Sequence, residues 1–269
     1  MQVWIDGELG RRTVSVFDHG LTVGDGVFET VKLVRGEPFA LTRHLRRLAF
    51  SARGLGLPEP DEAYVRAGIA EVLADVEPWE LGRLRITYTG GHGPLGSDRG
   101  ADGPTTIIVA GEQKPFPETA AVAVVPWPRN ERGPLTGLKT TSYADNVVAL
   151  AYAKERGAGE AIFGNLAGNL CEGTGSNIFL VLDGRLVTPT LASGCLAGVT
   201  RALVLEWAGA EETDVPLEAL RDAEEAFLTS TTRDVQPIAL LDGRELPVGP
   251  LTRKAAEIFA LRATEKVDP

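Results

Sequence analysis

Apolar and polar residues follow two different periods along the first 112 residues. Alternation at every second position, rich in β-branched side chains, predicts strands within 3–9, 20–34, 84–89 and 105–110. Apolar residues spaced three and four apart predict helices over 41–57 and 61–76. The two periods together indicate a smaller N-terminal α/β domain over residues 1–112.

A proline-containing segment separates this domain from the second half of the chain. Residues 113–119, with Pro115 and Pro117, predict a stiff linker. Residues 120–269 predict a larger C-terminal domain, with strands within 121–125, 161–163, 171–181, 185–189 and 224–229 and helices over 144–156, 196–207 and 250–261. The expected fold class is therefore α/β (α+β) with two domains.

Composition and charge argue against several classes of protein. The 269 residues are 43% hydrophobic and 24% charged, as is usual for a globular chain. A net charge of −10 argues against nonspecific binding to nucleic acid or to an anionic membrane surface. No signal peptide is visible and no apolar run approaches the roughly 18 residues of a membrane span, so we expect a cytoplasmic protein. Two cysteines and three dispersed histidines predict no metal site.

Lys139 differs from the other lysines in its surroundings. The chain has six lysines, and this one alone lies in an uncharged, hydroxyl-rich segment ahead of an apolar helical run. A weakly solvated amine of this kind suits a nucleophile. A lysine that reaches water from the start of a helix fits the local sequence equally well.

Three turns rich in small polar residues, at 172–177, 198–200 and 230–232, lie at the ends of predicted strands or helices. Backbone N–H groups and hydroxyls at such positions can bind an anion. Together with the amine of Lys139, they suggest a phosphorylated cofactor that is held covalently, and pyridoxal 5′-phosphate (PLP) has both features. A metal-free binding fold without this cofactor is the alternative at this point.

Six short motifs then occur in order along the chain. They are Gly-Asp-Gly-Val-Phe-Glu at 24–29, His-Leu-Arg-Arg-Leu at 44–48, Leu-Lys at 138–139, Cys-Glu-Gly-Thr-Gly-Ser-Asn-Ile-Phe at 171–179, Gly-Val-Thr-Arg at 198–201 and Thr-Ser-Thr-Thr at 229–232. From residue 3 to about residue 262 the chain resembles the class IV aminotransferases of PLP fold type IV. The resemblance implies a homodimer of two-domain subunits with the active site in the interdomain cleft.

The resemblance also implies roles for individual residues. Lys139 matches the lysine that forms the Schiff base with PLP and then moves the substrate proton, and Glu172 matches the carboxylate that keeps the pyridine nitrogen protonated. The remaining cofactor contacts that it implies are Arg47, Val199, Thr200 and Thr231 for the phosphate, Leu196 for one face of the ring and Tyr143 for the phenolic oxygen.

Substrate contacts are expected where the sequence departs from the best-known D-specific relatives. Phe28 lies where those enzymes often have a tyrosine. The glycine-rich loop 90–100 lacks their Arg-x-His carboxylate trap and has His92 and Arg99 instead. Thr232 is the last residue of the turn at 230–232 and Arg233 follows it. Arg233 is predicted either to replace the missing clamp or to pair with Asp234 as a structural arginine.

The resulting functional prediction is a PLP-dependent aminotransferase. We expect broad specificity towards D-amino acids, with transfer of their amino group to a 2-oxo acid such as pyruvate or 2-oxoglutarate. Aminodeoxychorismate lyase, which eliminates pyruvate, and a branched-chain L-amino-acid aminotransferase are the alternatives within the family. A PLP-binding homologue without catalysis is an alternative of another class, and the retention of both Lys139 and Glu172 argues against it.

Overall fold

The computed structural model describes all 269 residues, which form two compact units by their contacts. The first unit comprises Met1–Pro115, Leu138–Tyr143 and Val267–Pro269, and the second comprises Phe116–Gly137 and Ala144–Lys266. The sequence prediction assigned Lys139 to the larger C-terminal domain. By contacts, its segment belongs to the first unit instead.

The first unit is built on a six-stranded antiparallel sheet. Its strands are β1 (Gln2–Ile5), β2 (Glu8–Leu9), β3 (Gly26–Val34), β4 (Glu37–Pro38), β5 (Leu81–Thr89) and β6 (Thr105–Glu112). Its helices are α1 (His19–Thr22), α2 (Leu41–Leu55) and α3 (Glu62–Ala74). The strand order is β2-β1-β6-β5-β3-β4, so β3 and β5 pair along their whole length.

Alternation along β3 and β5 gives this sheet two different faces. On one face Val27, Val31 and Leu84 join the buried core with apolar residues of α2 and α3. Phe28 on β3 and Arg85 on β5 lie on the opposite face. Side chains alternate between the two faces along each strand, and the register of β3 with β5 places both residues on the face away from Val27 and Leu84. One face therefore builds the core, and the other is available for chemistry.

Local capping explains where the two long helices of this unit begin and end. Gly56 ends α2 with a positive φ of 76°, and its N–H donates to the carbonyls of Ala52 and Arg53. Asp61 begins α3 by accepting from the N–H groups of Ala63 and Tyr64, which confirms the predicted cap.

The second unit contains a nine-stranded mixed sheet. Its strands are β7 (Ala120–Val124), β8 (Glu160–Gly164), β9 (Leu170–Gly173), β10 (Asn177–Leu182), β11 (Arg185–Pro189), β12 (Glu211–Thr213), β13 (Glu225–Ser230), β14 (Asp234–Leu241) and β15 (Arg244–Glu245). Its helices are α4 (Ala144–Glu155), α5 (Val199–Ala208) and α6 (Pro250–Glu265). The order is β12-β11-β10-β13-β14-β7-β8-β9, and β15 pairs with β14.

The central strands of this sheet are buried on both faces. Val122 and Ile162 belong to one apolar cluster, whereas their neighbours Ala123 and Phe163 belong to another, which also contains Ala149 of α4. Strands that are covered on both sides need near-continuous apolar runs. The runs at 121–125 and 161–163 have that character.

The strand β14 was missed by the sequence prediction, as was the single turn of α1. Pro237 lies within β14 opposite Phe227, and a proline usually argues against a strand that is paired on both sides because it has no N–H to donate. The ladder to β7 shifts register between Ile238 and Leu240, which accommodates the irregular strand.

Membrane-spanning helices and clusters of metal-binding side chains were both sought in the structure. None of the helices has the length and apolar character that crossing a membrane requires. No group of three or more His, Cys, Asp or Glu side chains is arranged to hold a metal ion.

Candidate active site

The backbone around Lys139 is fixed against β3. The Lys139 carbonyl accepts a hydrogen bond from the N–H of Phe28 (N···O 2.9 Å), and its N–H donates to Oγ of Ser51 on α2 (3.1 Å). The N–H of Thr141 donates to the carbonyl of Gly26 (2.8 Å). Lys139 therefore lies in an extended segment that is hydrogen-bonded to β3 and α2, and it is not part of α4, which begins at Ala144.

Aromatic rings surround the amine of Lys139. Its Nζ lies 4.2 Å from the centroid of the Phe28 ring and 5.9 Å from that of the Tyr143 ring. The two rings contact each other edge to face, with centroids 5.2 Å apart. Phe28, Tyr143 and Lys139, three of the predicted site residues, thus form one cluster in the first unit.

Arg85 joins this cluster, although the sequence analysis did not single it out. Its guanidinium carbon lies 3.3 Å from the centroid of the Phe28 ring, and its Nε donates to Oγ1 of Thr87 (3.2 Å). Burial lowers the pKa of Arg85 to about 10, which leaves the group charged at neutral pH. No carboxylate pairs with it. Arg85 lies on the same face as Phe28 because of the register in which β3 and β5 pair, which the sequence alone does not give.

Arg47 is held by a buried carboxylate on the helix-facing side of the sheet. Its Nε and Nη2 donate to the two oxygens of Glu29, at 2.7 Å each. Nδ1 of His44, one turn earlier on α2, lies 2.7 Å from Oε2 of the same carboxylate. Such a bidentate pair fixes the plane of the guanidinium, which suits an arginine that has to meet a phosphate in one orientation.

Burial and charge act in opposite directions on the ionisation of this group. Burial raises the pKa of Glu29, but the charge and hydrogen bonds of Arg47 outweigh it and lower the pKa to about 2. Burial lowers the pKa of His44, although its hydrogen bond to Glu29 opposes that shift. We therefore describe the group as a neutral histidine, an ionised glutamate and a charged arginine.

Glu172 is oriented by two groups in the second unit. Its Oε2 accepts from the N–H of Leu196 (2.9 Å), and its Oε1 lies 3.5 Å from Nε of Arg129. Nη1 of Arg129 donates to Asn146 (2.8 Å), and its guanidinium lies 4.1 Å from the centroid of the Phe163 ring. The sequence analysis missed Arg129, because nothing local to residue 129 shows that it lies beside β9.

The first turn of α5 has the features of an anion site. No side chain caps its N-terminus at Gly198, and Val199 and Thr200 are buried. A Cβ added at Gly198 would lie 2.0 Å from Oδ1 of Asn177, so the backbone has to approach closely here. Oγ1 of Thr229 is buried without a hydrogen-bond partner one residue before the Ser230 turn. These groups fit the phosphate of PLP.

Thr231 and Thr232 lie in the tight turn between β13 and β14, and Arg233 ends that turn. The side chain of Arg233 extends back to Glu160, with Nη2 2.6 Å from Oε2, and Nη1 donates to Gln236. The carboxylate that engages it is thus that of Glu160 and not that of Asp234, the predicted structural partner. This pairing corrects the expected substitute clamp, because the guanidinium is already neutralised inside the second unit.

Arg99 and His92 have other partners in the first unit. Arg99 binds both oxygens of Asp25 (2.7 Å each) and donates to the carbonyls of Leu55 and Gly56. Nδ1 of the exposed His92 lies 3.0 Å from Oδ2 of Asp102. Arg99 therefore anchors the glycine-rich loop to the end of α2, and this arrangement argues against the predicted role of Arg99 in substrate binding.

Comparisons with known proteins give a consistent picture. Residues 26–241 match the model of a family described as amino-transferase class IV. The chain is 32% identical to a putative branched-chain-amino-acid aminotransferase of Methanocaldococcus jannaschii, over 96% of this chain and 95% of that protein. It is 31% identical to a bifunctional aminodeoxychorismate lyase / D-amino acid transaminase of Mycobacterium tuberculosis, over 97% and 96% of the two chains.

Solved structures are similar over nearly the whole chain. A branched-chain aminotransferase from Thermoproteus uzoniensis with norvaline aligns with a TM-score of 0.88 at 31% identity, covering 97% of this chain and 93% of that one. A PLP-bound hypothetical aminotransferase from Mycobacterium tuberculosis aligns with a TM-score of 0.85 at 27% identity, covering 99% and 100%.

The buried group of Glu29, His44 and Arg47 predicts an acid-sensitive fold. Folded His44 resists protonation and folded Glu29 stays ionised, so below about pH 6.5 the unfolded chain binds more protons. We expect the free energy of unfolding to fall from about pH 6.5 through the His44 contribution, and again between pH 4.5 and about 2 through Glu29. Urea denaturation at a series of pH values measures this dependence.

The variant His44→Asn separates the two contributions. Asparagine retains a donor near the position of Nδ1 but does not titrate, so the loss of stability between about pH 7 and 5.5 should become smaller than in the parent protein. An unchanged pH dependence in this variant would show that His44 contributes nothing to the acid sensitivity.

Proposed function

The chain belongs to the class IV aminotransferase family, whose enzymes use PLP, and we propose that it transfers amino groups from several D-amino acids to a 2-oxo acid. The proposal is supported chiefly by two cationic groups that lie against the same aromatic ring. The amine of Lys139 and the guanidinium of Arg85 both contact Phe28. An amino-acid substrate carries an amine and a carboxylate on the same carbon. Its site therefore needs a group that reacts at the amine and a cation that binds the carboxylate close to each other.

Arg85 is the proposed receptor for the substrate carboxylate. A partly buried guanidinium without an anionic partner has already lost part of its hydration, so a carboxylate that binds there gains a strong, charge-assisted contact. The rigid fork of an arginine can bind both carboxylate oxygens at once. Because β5 is paired on both sides, the receptor is held on a stiff element of the fold.

Lys139 is the proposed catalytic residue. PLP, when bound, supplies an electron sink for the charge that develops as the substrate loses its α-proton. Lys139 would hold the cofactor covalently and, once the substrate has displaced it, would use Nζ to take the proton from the substrate α-carbon. The hydrogen bonds of its backbone to Phe28 and Ser51 keep the amine beside the ring cluster during both tasks.

The remaining proposed roles concern binding of the cofactor. Glu172 would face the pyridine nitrogen, and its contacts with Leu196 N–H and Arg129 keep the carboxylate in one orientation. The proposed phosphate contacts are Arg47, the first-turn N–H groups of Val199 and Thr200, and Thr231. Tyr143 is assigned to the phenolic oxygen, and its contact with Phe28 supports a position close to Lys139.

D-amino acids are proposed over two other substrate classes. The bifunctional Mycobacterium tuberculosis relative supports both D-amino-acid transamination and aminodeoxychorismate cleavage for a chain of this length. The Methanocaldococcus jannaschii relative and the Thermoproteus uzoniensis structure favour branched-chain amino acids instead. Pyruvate and 2-oxoglutarate are the proposed acceptors, and a lyase would need neither.

A panel of donors tests the substrate assignment. We expect PLP-loaded enzyme to transfer amino groups from D-alanine and D-glutamate to a 2-oxo acid at least about tenfold faster than from L-leucine. With the carboxylate on Arg85, only one enantiomer can direct its α-hydrogen at Lys139, and the proposal assigns the D form. Lys139→Ala should abolish turnover of every donor. Faster transfer from L-leucine would instead establish a branched-chain enzyme. Release of pyruvate from aminodeoxychorismate without any acceptor would establish a lyase.

Replacement of Arg85 tests the carboxylate receptor. We expect Arg85→Met to raise KM for D-alanine by about 100-fold while the affinity for PLP stays unchanged, because the lost contact is a charge-assisted hydrogen bond to the substrate alone. Arg83→Met is the matched control, since Arg83 lies on the same strand and face but is exposed. An equal rise of KM in both variants would point to general loss of positive charge and contradict the assignment.

A homodimer is proposed from the apolar surface around the glycine-rich loop. Val16, Leu21 and Leu95 are 69%, 66% and 74% exposed, and a hydrogen bond from Gly93 N–H to the Phe17 carbonyl (3.1 Å) holds their segments together. Several large apolar side chains exposed on neighbouring segments favour an interaction site there. Sedimentation equilibrium should give the mass of a dimer, and Leu95→Asp should shift it towards the monomer. A parent protein that is monomeric at micromolar concentration would contradict the proposal.

A further inference from the structure

Glu160 connects two turns that are far apart in the sequence. It lies at the start of β8, is 2% exposed, and uses both carboxylate oxygens. Oε1 accepts from the hydroxyl of Thr174 and from the N–H of Gly175 (2.9 Å), and Oε2 accepts from Nη2 of Arg233 (2.6 Å). One buried carboxylate therefore engages the turn at 173–176 and the turn at 230–233.

The first of these turns directly follows Glu172. The N–H of Gly173 donates to the carbonyl of Ser176 (2.8 Å), which closes the turn. A Cβ added at Gly173 would lie 2.5 Å from Oγ of Ser176 and 3.0 Å from Oε1 of Glu160, so the carboxylate is in tight contact with this turn. A shift of Glu160 would therefore be passed on to the residues beside Glu172.

The second turn carries Thr231 and is anchored through Arg233. Besides Glu160, the guanidinium donates to Gln236 and lies 4.0 Å from the centroid of the Phe116 ring. Gln236 in turn donates to the carbonyl of Pro117 (2.7 Å). The side chain of Arg233 thus has one fixed position, and the turn that it ends is fixed with it.

We propose that the ion pair of Glu160 and Arg233 is a positioning device that holds the Glu172 turn and the Thr231 turn in register for the cofactor. This proposal rests on the proposed cofactor roles of Glu172 and Thr231. The side chains of Glu160 and Arg233 are 3% and 11% exposed, so each charge depends on the other for compensation. Loss of either partner leaves an uncompensated buried charge, and the turns have to move to hydrate it.

A purely structural ion pair would stabilise the second unit without any specific effect on the two turns. Glu225 provides the comparison, because it is also a buried glutamate in the same sheet. Its carboxylate accepts from the N–H groups of Leu251 (3.2 Å) and Thr252 (2.7 Å) in the first turn of α6. It lies at the end of β13 opposite to the Thr231 turn.

The test uses Glu160→Gln, Arg233→Met, the double variant and the control Glu225→Gln, each in the full chain. The apo proteins are titrated with PLP, and amide hydrogen exchange is measured for residues 173–176 and 229–233. We expect each single change at the ion pair to weaken PLP binding by about tenfold or more, the loss typical when a supporting residue behind a binding group is removed. Exchange should become faster in both turns.

The double variant and the control separate positioning from stability. The double variant removes both charges, so we expect it to fold at least as well as the single variants and to bind PLP no more weakly than the weaker of them. Glu225→Gln should lower the free energy of unfolding without a change in PLP affinity. If Glu160→Gln and Glu225→Gln affect PLP affinity equally, or if only one of the turns exchanges faster, the positioning role is wrong.

Thr231→Val distinguishes failure of this inference from failure of the proposed site. Loss of PLP affinity in Thr231→Val, together with unchanged affinity in Glu160→Gln, would overturn the positioning role alone. Unchanged affinity in Thr231→Val would overturn the assignment of the turn to the phosphate, and the positioning role with it.

Discussion

The pairing of the Lys139 segment with β3 is the constraint on which the cluster of Lys139, Phe28 and Arg85 in the first unit depends. Two backbone hydrogen bonds, Phe28 N–H to Lys139 and Thr141 N–H to Gly26, fix the amine beside the Phe28 ring. The approach is so close that a Cβ at Gly26 would lie 3.0 Å from Oγ1 of Thr141. Gly26 at the start of β3, like Gly24 before it, is therefore explained by the close approach of the segment that follows Lys139.

The buried arginines differ in whether a carboxylate pairs with them. Glu29 with Arg47, and Glu160 with Arg233, are compensated pairs with short contacts and little exposure. Arg85 has an aromatic ring and a hydroxyl but no carboxylate. The other deeply placed guanidinium groups are paired with carboxylates, whereas Arg85 is not. An anionic ligand that binds Arg85 would therefore compensate a charge that the fold leaves unpaired. For this reason we propose that the substrate carboxylate binds there.

The sequence was informative wherever a signal is local. The alternation of β3, the apolar spacing of α2 and the cap at Asp61 depend on neighbouring residues, and all three were predicted. Lys139 stood out because hydroxyl-rich, uncharged surroundings of a lysine are also visible locally. Pro237 concealed β14, because a proline has no N–H to donate and therefore argues locally against a strand that is paired on both sides.

Residues whose role depends on a distant partner were predicted poorly. The importance of Arg85 follows from the parity of two paired strands, and that of Arg129 from its position beside β9. The partner of Arg233 lies 73 positions away, so the adjacent Asp234 was the only anion that the local sequence offered. The sequence did not single out Glu160, since a glutamate at the start of a strand has no local feature that indicates an exposure of only 2%.

The partners of Arg99 and Arg233 limit which arginine can bind the substrate carboxylate. The Arg-x-His trap of the best-known D-specific relatives lies on a loop, whereas the arginine of the corresponding loop here, Arg99, is committed to Asp25 and the end of α2. Arg233 is committed to Glu160. Arg85 is therefore the proposed receptor, and it belongs to a strand that is paired on both sides. Recognition from a stiff strand needs no loop closure to assemble it, so the entropy cost of ordering a loop does not oppose substrate binding.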